Sequence, residues 1–175
     1  MMPNEDIIRS ANFPGHYEIK EFHVKHIRSM RLWQADMNTI AAYDDFDTII
    51  SEYASRFFSF TVFDGEKPIL CYLFFPLWHG NWEVTVFKDA DYVTKKPVEM
   101  TKCSKNMIKF ISSMTFVRRL QITVRNDNPR AVRWAKTIGF TREAFLRSYA
   151  SDGCDCHIFA RLNHGFHSTG IGSRR

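Results

Sequence analysis

The sequence lacks any apolar run long enough to cross a membrane. None of its 175 residues falls in a stretch approaching the roughly 18 consecutive apolar residues that a spanning helix needs. The opening residues, MMPNEDIIRS, also lack the charged-then-apolar order of a secretory signal. We therefore expect a cytoplasmic protein that does not engage a membrane.

Cysteine is scarce, and its spacing argues against a metal site. The four cysteines are Cys71, Cys103, Cys154 and Cys156. In a strand, Cys154 and Cys156 would point to one face and His157 to the other. Their separation is also shorter than the C-x₂-C arm typical of zinc sites. We expect no metal and no structural disulfide, and interpret the cysteines as buried reduced thiols.

Aromatic residues and basic charge are what the sequence does supply. It has 16 Phe, 6 Tyr and 4 Trp, and 45% of its residues are hydrophobic, which suits one domain with a sizeable core. The net charge of +5 fits either a solvated basic surface or an anionic partner.

Polar ends flank the predicted domain. Residues 1–16 carry Pro3, Pro14 and Gly15, and we interpret them as a flexible arm. Residues 163–175 are polar and aperiodic, and we interpret them as a mobile basic tail. Residues 17–162 then form a single domain without internal repeats.

Hydrophobic periodicity divides this domain into strands and helices. The first half is predicted to hold a strand at Tyr17–Val24, helices at His26–Tyr43 and Asp45–Arg56, and strands at Phe57–Phe63, Ile69–Leu77 and Trp82–Lys88. Turns at Asp64-Gly65 and Gly80 make the last three strands an antiparallel meander. A helix is then predicted to begin at Pro97. Two strands, Phe145–Ser151 and Cys154–Leu162, form a final hairpin across Asp152-Gly153.

Between that helix and the hairpin, Arg118–Phe140 carries unusually complete local signals. The apolar positions are Leu120, Ile122 and Val124 at strand spacing, then Ala131, Trp134, Ala135 and Ile138 at helical spacing. Asn128 is a favoured N-cap residue, and Pro129 suits the first helical position. Gly139 suits the left-handed residue after the helix, and Phe140 returns to the core. A strand, a tight loop and a short helix follow.

This segment resembles the closing motif of the GCN5-related N-acetyltransferase (GNAT) superfamily, through the spacing Asn128-x-x-Ala131-x-x-Trp134-x₄-Gly139-Phe140. The predicted element order, β-α-α-β-β-β-α-β-α-β-β, is also that of the GNAT fold. The resemblance therefore implies a single α/β (α+β) domain with a mixed sheet. It further implies that strands four and five, Trp82–Lys88 and Leu120–Arg125, splay apart at the centre.

The resemblance implies a binding site for acetyl-CoA in that gap. The pantetheine arm would pair with the backbone of the fourth strand at Val84, Val86 and Phe87. Asn128 and Ala131 would lie against the arm or the helix start. An amine acceptor would then attack the thioester directly in a ternary complex.

One departure from the family pattern concerns the phosphates of CoA. GNAT enzymes usually carry a glycine-rich loop after strand four, whose N–H groups hold the pyrophosphate. The corresponding segment, Val93–Thr101, contains no glycine, so side chains would crowd such an approach, and Pro97 removes one donor. Lys95 and Lys96 are either phosphate-binding charges or simply solvated lysines.

A second departure concerns proton transfer. Many family members carry a general-acid Tyr seven residues after the motif Asn, where this chain has Ala135. Tyr149 and Ser148 on the late hairpin are candidate substitutes. Glu83 on strand four is either the base that deprotonates the amine or an ordinary solvent-facing residue.

A narrower resemblance leaves a second function open. Val132–Phe140 with the later Asp152-Gly153 hairpin is similar to the internal virion protein A family of T7-like phages. That group implies a non-catalytic GNAT-fold protein acting in virion assembly or protein interaction, in the host cytoplasm.

Nucleic acid is not expected as a partner. The arginines that might contact it are Arg118, Arg119, Arg125, Arg130 and Arg133. They fall on different faces of a strand and a helix, so they do not form one basic surface.

Overall fold

A seven-stranded mixed sheet runs through the part of the chain that the computed structural model describes, residues 12–163. The strands are β1 (Tyr17–Glu21), β2 (Ser59–Asp64), β3 (Lys67–Trp78), β4 (Asn81–Lys88), β5 (Arg119–Arg125), β6 (Thr141–Leu146) and β7 (Cys156–Leu162). Their order across the sheet is β1-β2-β3-β4-β5-β7-β6. Neighbours are antiparallel except β4 and β5, which run parallel.

Helices cover both faces of this sheet. They are α1 (Val24–Ser29), α2 (Gln34–Ala41), α3 (Phe46–Arg56), α4 (Ala90–Lys95), α5 (Pro97–Ser112) and α6 (Pro129–Thr137). Buried residues of α5 and α6 share one core with the sheet, including Tyr72 and Leu120. Buried residues of α1, α2 and α3 form a second core on the other face, against Leu73 and Phe87. This confirms the predicted α/β domain with a mixed sheet.

Local signals in the sequence account for several helix ends. The Asp45 side chain accepts a hydrogen bond from the Thr48 N–H at 3.2 Å and caps α3. Pro97 and Pro129 occupy the first positions of α5 and α6, where a missing N–H leaves no bond unmade. Gly139 ends α6 with φ +100°, a backbone conformation that suits glycine.

The single helix predicted at His26–Tyr43 is wrong, since the chain forms two helices there. The predicted first strand is also too long, because Val24 begins α1. The break between α1 and α2 is held by contacts distant in sequence. The N–H of Arg31 donates to Asp89 Oδ2 at 3.1 Å, and the N–H of Ala90 donates to the Arg31 carbonyl at 2.7 Å. These tertiary hydrogen bonds override the continuous helical periodicity.

Helix α4 lies in a segment that was not predicted to be helical. Asp89 begins it, since its Oδ1 accepts from the Tyr92 N–H at 2.8 Å. Asp89 is almost fully buried and also binds Lys67 Nζ at 2.8 Å. Asp89-Ala90-Asp91 is therefore the start of a helix.

The final hairpin has the predicted partners but a different first strand. β6 ends at Leu146 opposite Cys156, so the predicted strand Phe145–Ser151 is wrong over most of its length. Ser148 has a positive φ of 48°, and its N–H donates to Asp155 Oδ1 at 2.8 Å. The connection therefore spans residues 147–155 instead of a short turn.

The ends of the described range touch the predicted arm and tail. Phe13, inside the predicted arm, is buried and packs edge-on against Tyr17. Residues 12–16 thus join the folded part, while the rest of the arm and most of the tail, including Arg174 and Arg175, lie outside the described residues. Within the described range, no helix has the length and apolar character to cross a membrane.

Candidate functional site

The sheet opens at its centre, between β4 and β5. The two strands pair in parallel at Asn81↔Arg119, Trp82↔Leu120 and Glu83↔Gln121. Past Glu83 no backbone ladder joins them within the described residues, although β4 continues to Lys88 and β5 to Arg125. We call this opening the wedge. The edge of β4 that faces it offers backbone groups without strand partners, as an edge strand does.

Helix α6 follows β5 and forms one wall of the wedge. Asn128 Oδ1 accepts from the Ala131 N–H at 3.0 Å, so this side chain caps the helix. Ala131 and Trp134 are half-buried against the core. Ala135, at the position of the family's general acid, is fully buried and carries no titratable group.

Lys88 reaches from β4 to that wall, which the sequence did not indicate. Its Nζ lies 3.6 Å from the centre of the Trp134 ring. Burial lowers the pKa of Lys88 to about 8, and the carboxylate of Asp36 on α2 opposes that shift. Burial also raises the pKa of Asp36, and its Oδ2 has no hydrogen-bond partner among residues 12–163. The Lys88 amine thus occupies the mouth of the wedge in a poorly solvated setting.

The segment after β4, where the family pattern has its phosphate-binding loop, is helical. Helix α4 leads directly into α5, whose N-cap residue, Lys96, makes no capping side-chain bond. A shallow surface cavity of about 440 Å³, wide open to solvent, lies beside the N-terminal half of α5 and the end of α6. It is lined by Pro97, Val98, Thr101, Lys102, Lys105 and Thr137. Both lysines are exposed, so this cavity is basic.

Lys95 and Lys96 have different surroundings. Lys95 is exposed at the end of α4. Lys96 Nζ donates to the Tyr92 hydroxyl at 2.9 Å and lies 3.6 Å from Asp64 Oδ2. Tyr92 also donates to Asp64, and the hydrogen bond to Tyr92 raises the pKa of Lys96. Lys96 is therefore engaged in a polar cluster that ties α4 to β2.

Glu83 lies at the closed end of the wedge, where pairing stops. Gln121 Nε2 donates to Glu83 Oε2 at 3.4 Å, and Arg119 Nε donates to Gln121 Oε1 at 3.1 Å. Across the β3–β4 ladder, Glu83 pairs with Phe75, whose ring meets that of Tyr53 on α3 edge to face. The carboxylate thus sits on the α1–α3 face of the sheet among aromatic residues.

Tyr149 and Ser148, the two candidate proton donors, lie on the connection between β6 and β7. Tyr149 is 57% exposed. Ser148 is also exposed, and its N–H is held by Asp155.

No protein-family profile and no curated protein matches this sequence. Its structure, in contrast, matches solved acetyltransferases over nearly their whole length. The ribosomal-protein-S5-alanine acetyltransferase of Vibrio fischeri superposes with a TM-score of 0.64 at 14% identity, covering 88% of this chain and 97% of that one. A GNAT-family acetyltransferase of Bacillus anthracis gives 0.63 at 14% identity, with 85% and 95% covered.

The chain has the GNAT fold. A third similar structure, yncA from Salmonella typhimurium, was solved with its cofactor acetyl-CoA and gives a TM-score of 0.60 at 9% identity, covering 90% of this chain and all of the other. At these identities the likeness concerns the fold. The narrower resemblance to phage virion proteins stays a prediction.

Compared with the family pattern, the wedge is present in this GNAT fold, but the residues around it differ. The strand divergence and the capped helix α6 are present as the resemblance implied. Lys88, Lys102 and Lys105 were missed by the sequence reasoning. Helical spacing places Lys102 and Lys105 on one face of α5, which was a usable signal, but nothing local indicated that Lys88 would reach Trp134. Among residues 12–163, no group of three or more His, Cys, Asp or Glu side chains is placed to share a metal.

Proposed function

We propose that the wedge binds acetyl-CoA and that the protein transfers the acetyl group to an amine by direct attack. The observation that carries this proposal is the parting of β4 and β5 after Glu83 and Gln121. An extended, amide-containing pantetheine arm can add to the exposed edge of β4 as another strand would. Because the backbone groups of successive residues point to opposite edges of a strand, either Val84 and Val86 or Phe87 supplies the groups for that pairing.

A buried hydroxyl supports a ligand in the wedge. Thr123 lies on β5 two residues past the last paired position, Gln121. Its Oγ1 is buried and has no hydrogen-bond partner within the described range. Because such groups are almost always paired in native proteins, a polar ligand in the wedge accounts for it.

The basic cavity beside α5 is the proposed phosphate site. Lys102 and Lys105 line it, and the start of a long helix favours anions. Lys95 is exposed nearby, whereas Lys96 would first have to leave Tyr92 and Asp64. Mobile lysines in place of a glycine loop attract phosphate without fitting it closely, so we expect modest affinity for CoA.

The proposed chemistry uses Glu83 and a good leaving group. Glu83, at the closed end of the wedge, accepts a proton from the attacking amine directly or through water. A thiolate is a fair leaving group, since even an ordinary cysteine thiol has a pKa near 8.5, so the loss of a general acid at Ala135 slows the reaction without preventing it. Tyr149 and Ser148, both exposed on the connection between β6 and β7, stay the candidate donors.

Thermal unfolding with acetyl-CoA tests the binding step. A ligand at 100 times its dissociation constant stabilises the folded state by about 2.7 kcal/mol, which is visible as a higher melting temperature. Changing both Lys102 and Lys105 to Ala should reduce the shift. Lys109→Ala, on the same helix but outside the cavity lining, is the matched control. No shift with millimolar acetyl-CoA contradicts the proposal.

Release of free thiol from acetyl-CoA in the presence of a panel of amines tests the transfer step. If Glu83 is the base, Glu83→Gln lowers the rate by about 10²- to 10⁴-fold. Glu18→Gln on β1, an exposed carboxylate, should leave it unchanged. An unchanged rate in Glu83→Gln removes Glu83 from the mechanism.

Two observations favour a second candidate, a non-catalytic protein-interaction module such as a virion component. Lys88 contacts Trp134 across the mouth of the wedge, and α4 occupies the segment in which the family pattern has its phosphate loop. If the protein does not bind CoA, neither Lys88 nor α4 has to move. Unchanged melting with acetyl-CoA, together with no thiol release, favours this candidate.

A further inference from the structure

The face of the sheet that carries Glu83 also carries a group of aromatic rings. Phe75 pairs with Glu83 across the β3–β4 ladder, so both side chains leave the sheet on the same face. The Tyr53 ring of α3 meets the Phe75 ring edge to face, with the two ring centres 5.4 Å apart. Phe57, directly after α3, stacks on Tyr53 with the ring centres 6.1 Å apart. We call Tyr53, Phe57 and Phe75 the aromatic cluster.

Solvent reaches both the carboxylate and the rings. Tyr53 is 46% exposed, and Phe57, Phe75 and Glu83 are each partly exposed. A ligand with an apolar part that lies against the aromatic cluster therefore removes apolar surface from water. The same ligand can reach the Glu83 carboxylate, because Phe75 and Glu83 are neighbours across the ladder.

The residues that hold Glu83 do not neutralise its charge. Gln121 Nε2 donates to Glu83 Oε2 at 3.4 Å, and this side-chain amide is uncharged. Arg119, which donates to Gln121 Oε1, forms its ion pair with Glu143, at 2.7 Å. The Glu83 carboxylate therefore presents a negative charge to a ligand bound beside it. That charge attracts an ammonium group and repels a second carboxylate.

We propose that the acetyl acceptor is a primary ammonium on an apolar alkyl or aryl stem, with no carboxylate beside the nitrogen. This inference rests on the proposed function, in which the reacting thioester lies beside Glu83. The ammonium binds the Glu83 carboxylate, and the stem lies against the aromatic cluster, whose ring faces also attract a cation. An α-amino acid is disfavoured because its own carboxylate would lie close to that of Glu83.

This arrangement places the nitrogen at the residue that is proposed to take its proton. Glu83 accepts one proton from the bound ammonium, directly or through water. The nitrogen lone pair then attacks the thioester carbonyl carbon, the C–N bond forms and the C–S bond breaks. CoA leaves as the thiolate, and the second proton of the nitrogen passes to that thiolate or to solvent.

Binding of three matched probes to the full chain, followed by NMR titration with and without CoA, tests this inference apart from acetyl transfer. The probes are 2-phenylethylamine, phenylalanine, which adds a carboxylate to the same stem, and 2-phenylethanol, which lacks the charge. We expect the dissociation constant of 2-phenylethylamine to be about tenfold lower than those of the other two, since a charge-assisted hydrogen bond to Glu83 forms without an opposing carboxylate. Equal dissociation constants, or no binding of 2-phenylethylamine, overturn the inference.

Two variants separate the contribution of the charge from that of the rings. Glu83→Gln should abolish the preference for 2-phenylethylamine over 2-phenylethanol. Tyr53→Leu, which keeps an apolar side chain, should weaken binding of the amine about threefold. Phe116→Leu, at an exposed aromatic residue outside the aromatic cluster, is the matched control. A preference for the amine that survives Glu83→Gln places the ammonium elsewhere and overturns the assigned site.

Thermal unfolding with acetyl-CoA distinguishes failure of this inference from failure of the proposed function. A melting shift with acetyl-CoA, together with no preference among the probes, overturns the acceptor class and leaves acetyl-CoA binding intact. A preference for 2-phenylethylamine without a melting shift overturns the proposed function and, with it, the acceptor role. Glu83 and the aromatic cluster would then be an amine-binding site only.

Discussion

The two walls of the wedge differ in how far their local sequence signals predict their structure. On the β5–α6 side, strand alternation, the Asn128 cap and the Gly139 stop all agree with the structure. On the β4–α5 side, an unpredicted helix, α4, fills the connection, and Lys88 extends across the opening. The comparison teaches that the parting of the strands does not depend on a glycine-rich phosphate loop.

The two walls differ in this respect because packing constrains them to different extents. The β5–α6 wall is tied to the core by buried residues such as Leu120 and Ala135, so its sequence is constrained by packing. In the connection after β4, Asp89 and Tyr92 are buried, but Lys95 and Val98 are exposed, and packing does not constrain these exposed positions. Changes at the exposed positions alter the proposed phosphate site and leave the wedge open.

The largest expected effect is on the packed wall. Leu120 on β5 is fully buried, so Leu120→Ala should lower the free energy of unfolding by about 2 to 5 kcal/mol. Val98→Ala on the α5 side, where the side chain is 80% exposed, should change it little. Urea unfolding of both variants measures these free energies. Equal losses of stability in Leu120→Ala and Val98→Ala would contradict the distinction between the two walls.

Gly139→Ala should have the next largest effect. Gly139 has φ +100°, and an added Cβ would lie 2.4 Å from Arg161 Nη1. The strained backbone should cost about 1 to 3 kcal/mol of stability, and the Arg161 side chain has to move. Gly15→Ala, where nothing lies within 4 Å of an added Cβ, is the control. A Gly139→Ala variant with wild-type stability would contradict the assigned left-handed stop.

Loss of the α6 cap is expected to be smaller. Asn128→Ala removes the acceptor for the Ala131 N–H and should cost about 1 kcal/mol. Lys95→Ala, at an exposed position on the other wall, should change the midpoint of thermal unfolding only slightly. If Asn128→Ala and Lys95→Ala have the same midpoint of thermal unfolding, the Asn128 side chain does not stabilise α6 as a cap.

The smallest effect concerns acid stability beside the β5 end. Arg125 donates to Asp127 and Asp152, and these hydrogen bonds hold both carboxyl pKa values below the ordinary range. The stabilisation is complete above the ordinary carboxyl pKa of about 4 and is lost as the pH falls through the lowered values.

Replacing Arg125 tests the direction of this pH dependence of stability. In Arg125→Met, stability should fall less steeply below pH 4 than in wild type, as followed by circular dichroism. Arg130→Met, at an exposed arginine on α6, should keep the wild-type slope. A steeper acid loss in Arg125→Met would show that the pairing has been assigned the wrong way round.

The fold could be predicted from the sequence where local signals were sufficient. The meander, α3, α5, β5 and α6 follow from alternation, caps and prolines. The break between α1 and α2 could not, because it depends on hydrogen bonds between Arg31 and the distant Asp89–Ala90 segment. The end of β6 was misplaced because Ser148, two residues after it, adopts a left-handed conformation that its residue type does not indicate.

The candidate site could be predicted only in outline. The wedge came from the family resemblance, since strand divergence leaves no local mark in either β4 or β5. Glu83 was proposed because the family commonly carries a carboxylate on strand four. The structure places it in the last pair, Glu83↔Gln121, and its role as a base stays a prediction. Lys88 was missed because its surroundings come from α2 and α6, which approach it only in the folded sheet.

The central claim is that the edge of β4 beyond Glu83 receives the arm of acetyl-CoA. Hydrogen–deuterium exchange with and without acetyl-CoA tests it most directly. The account predicts slower exchange of those Val84–Lys88 amides that face the wedge, with no change in β1 (Tyr17–Glu21) at the far edge of the sheet. Unchanged exchange throughout Val84–Lys88 at saturating acetyl-CoA would contradict it.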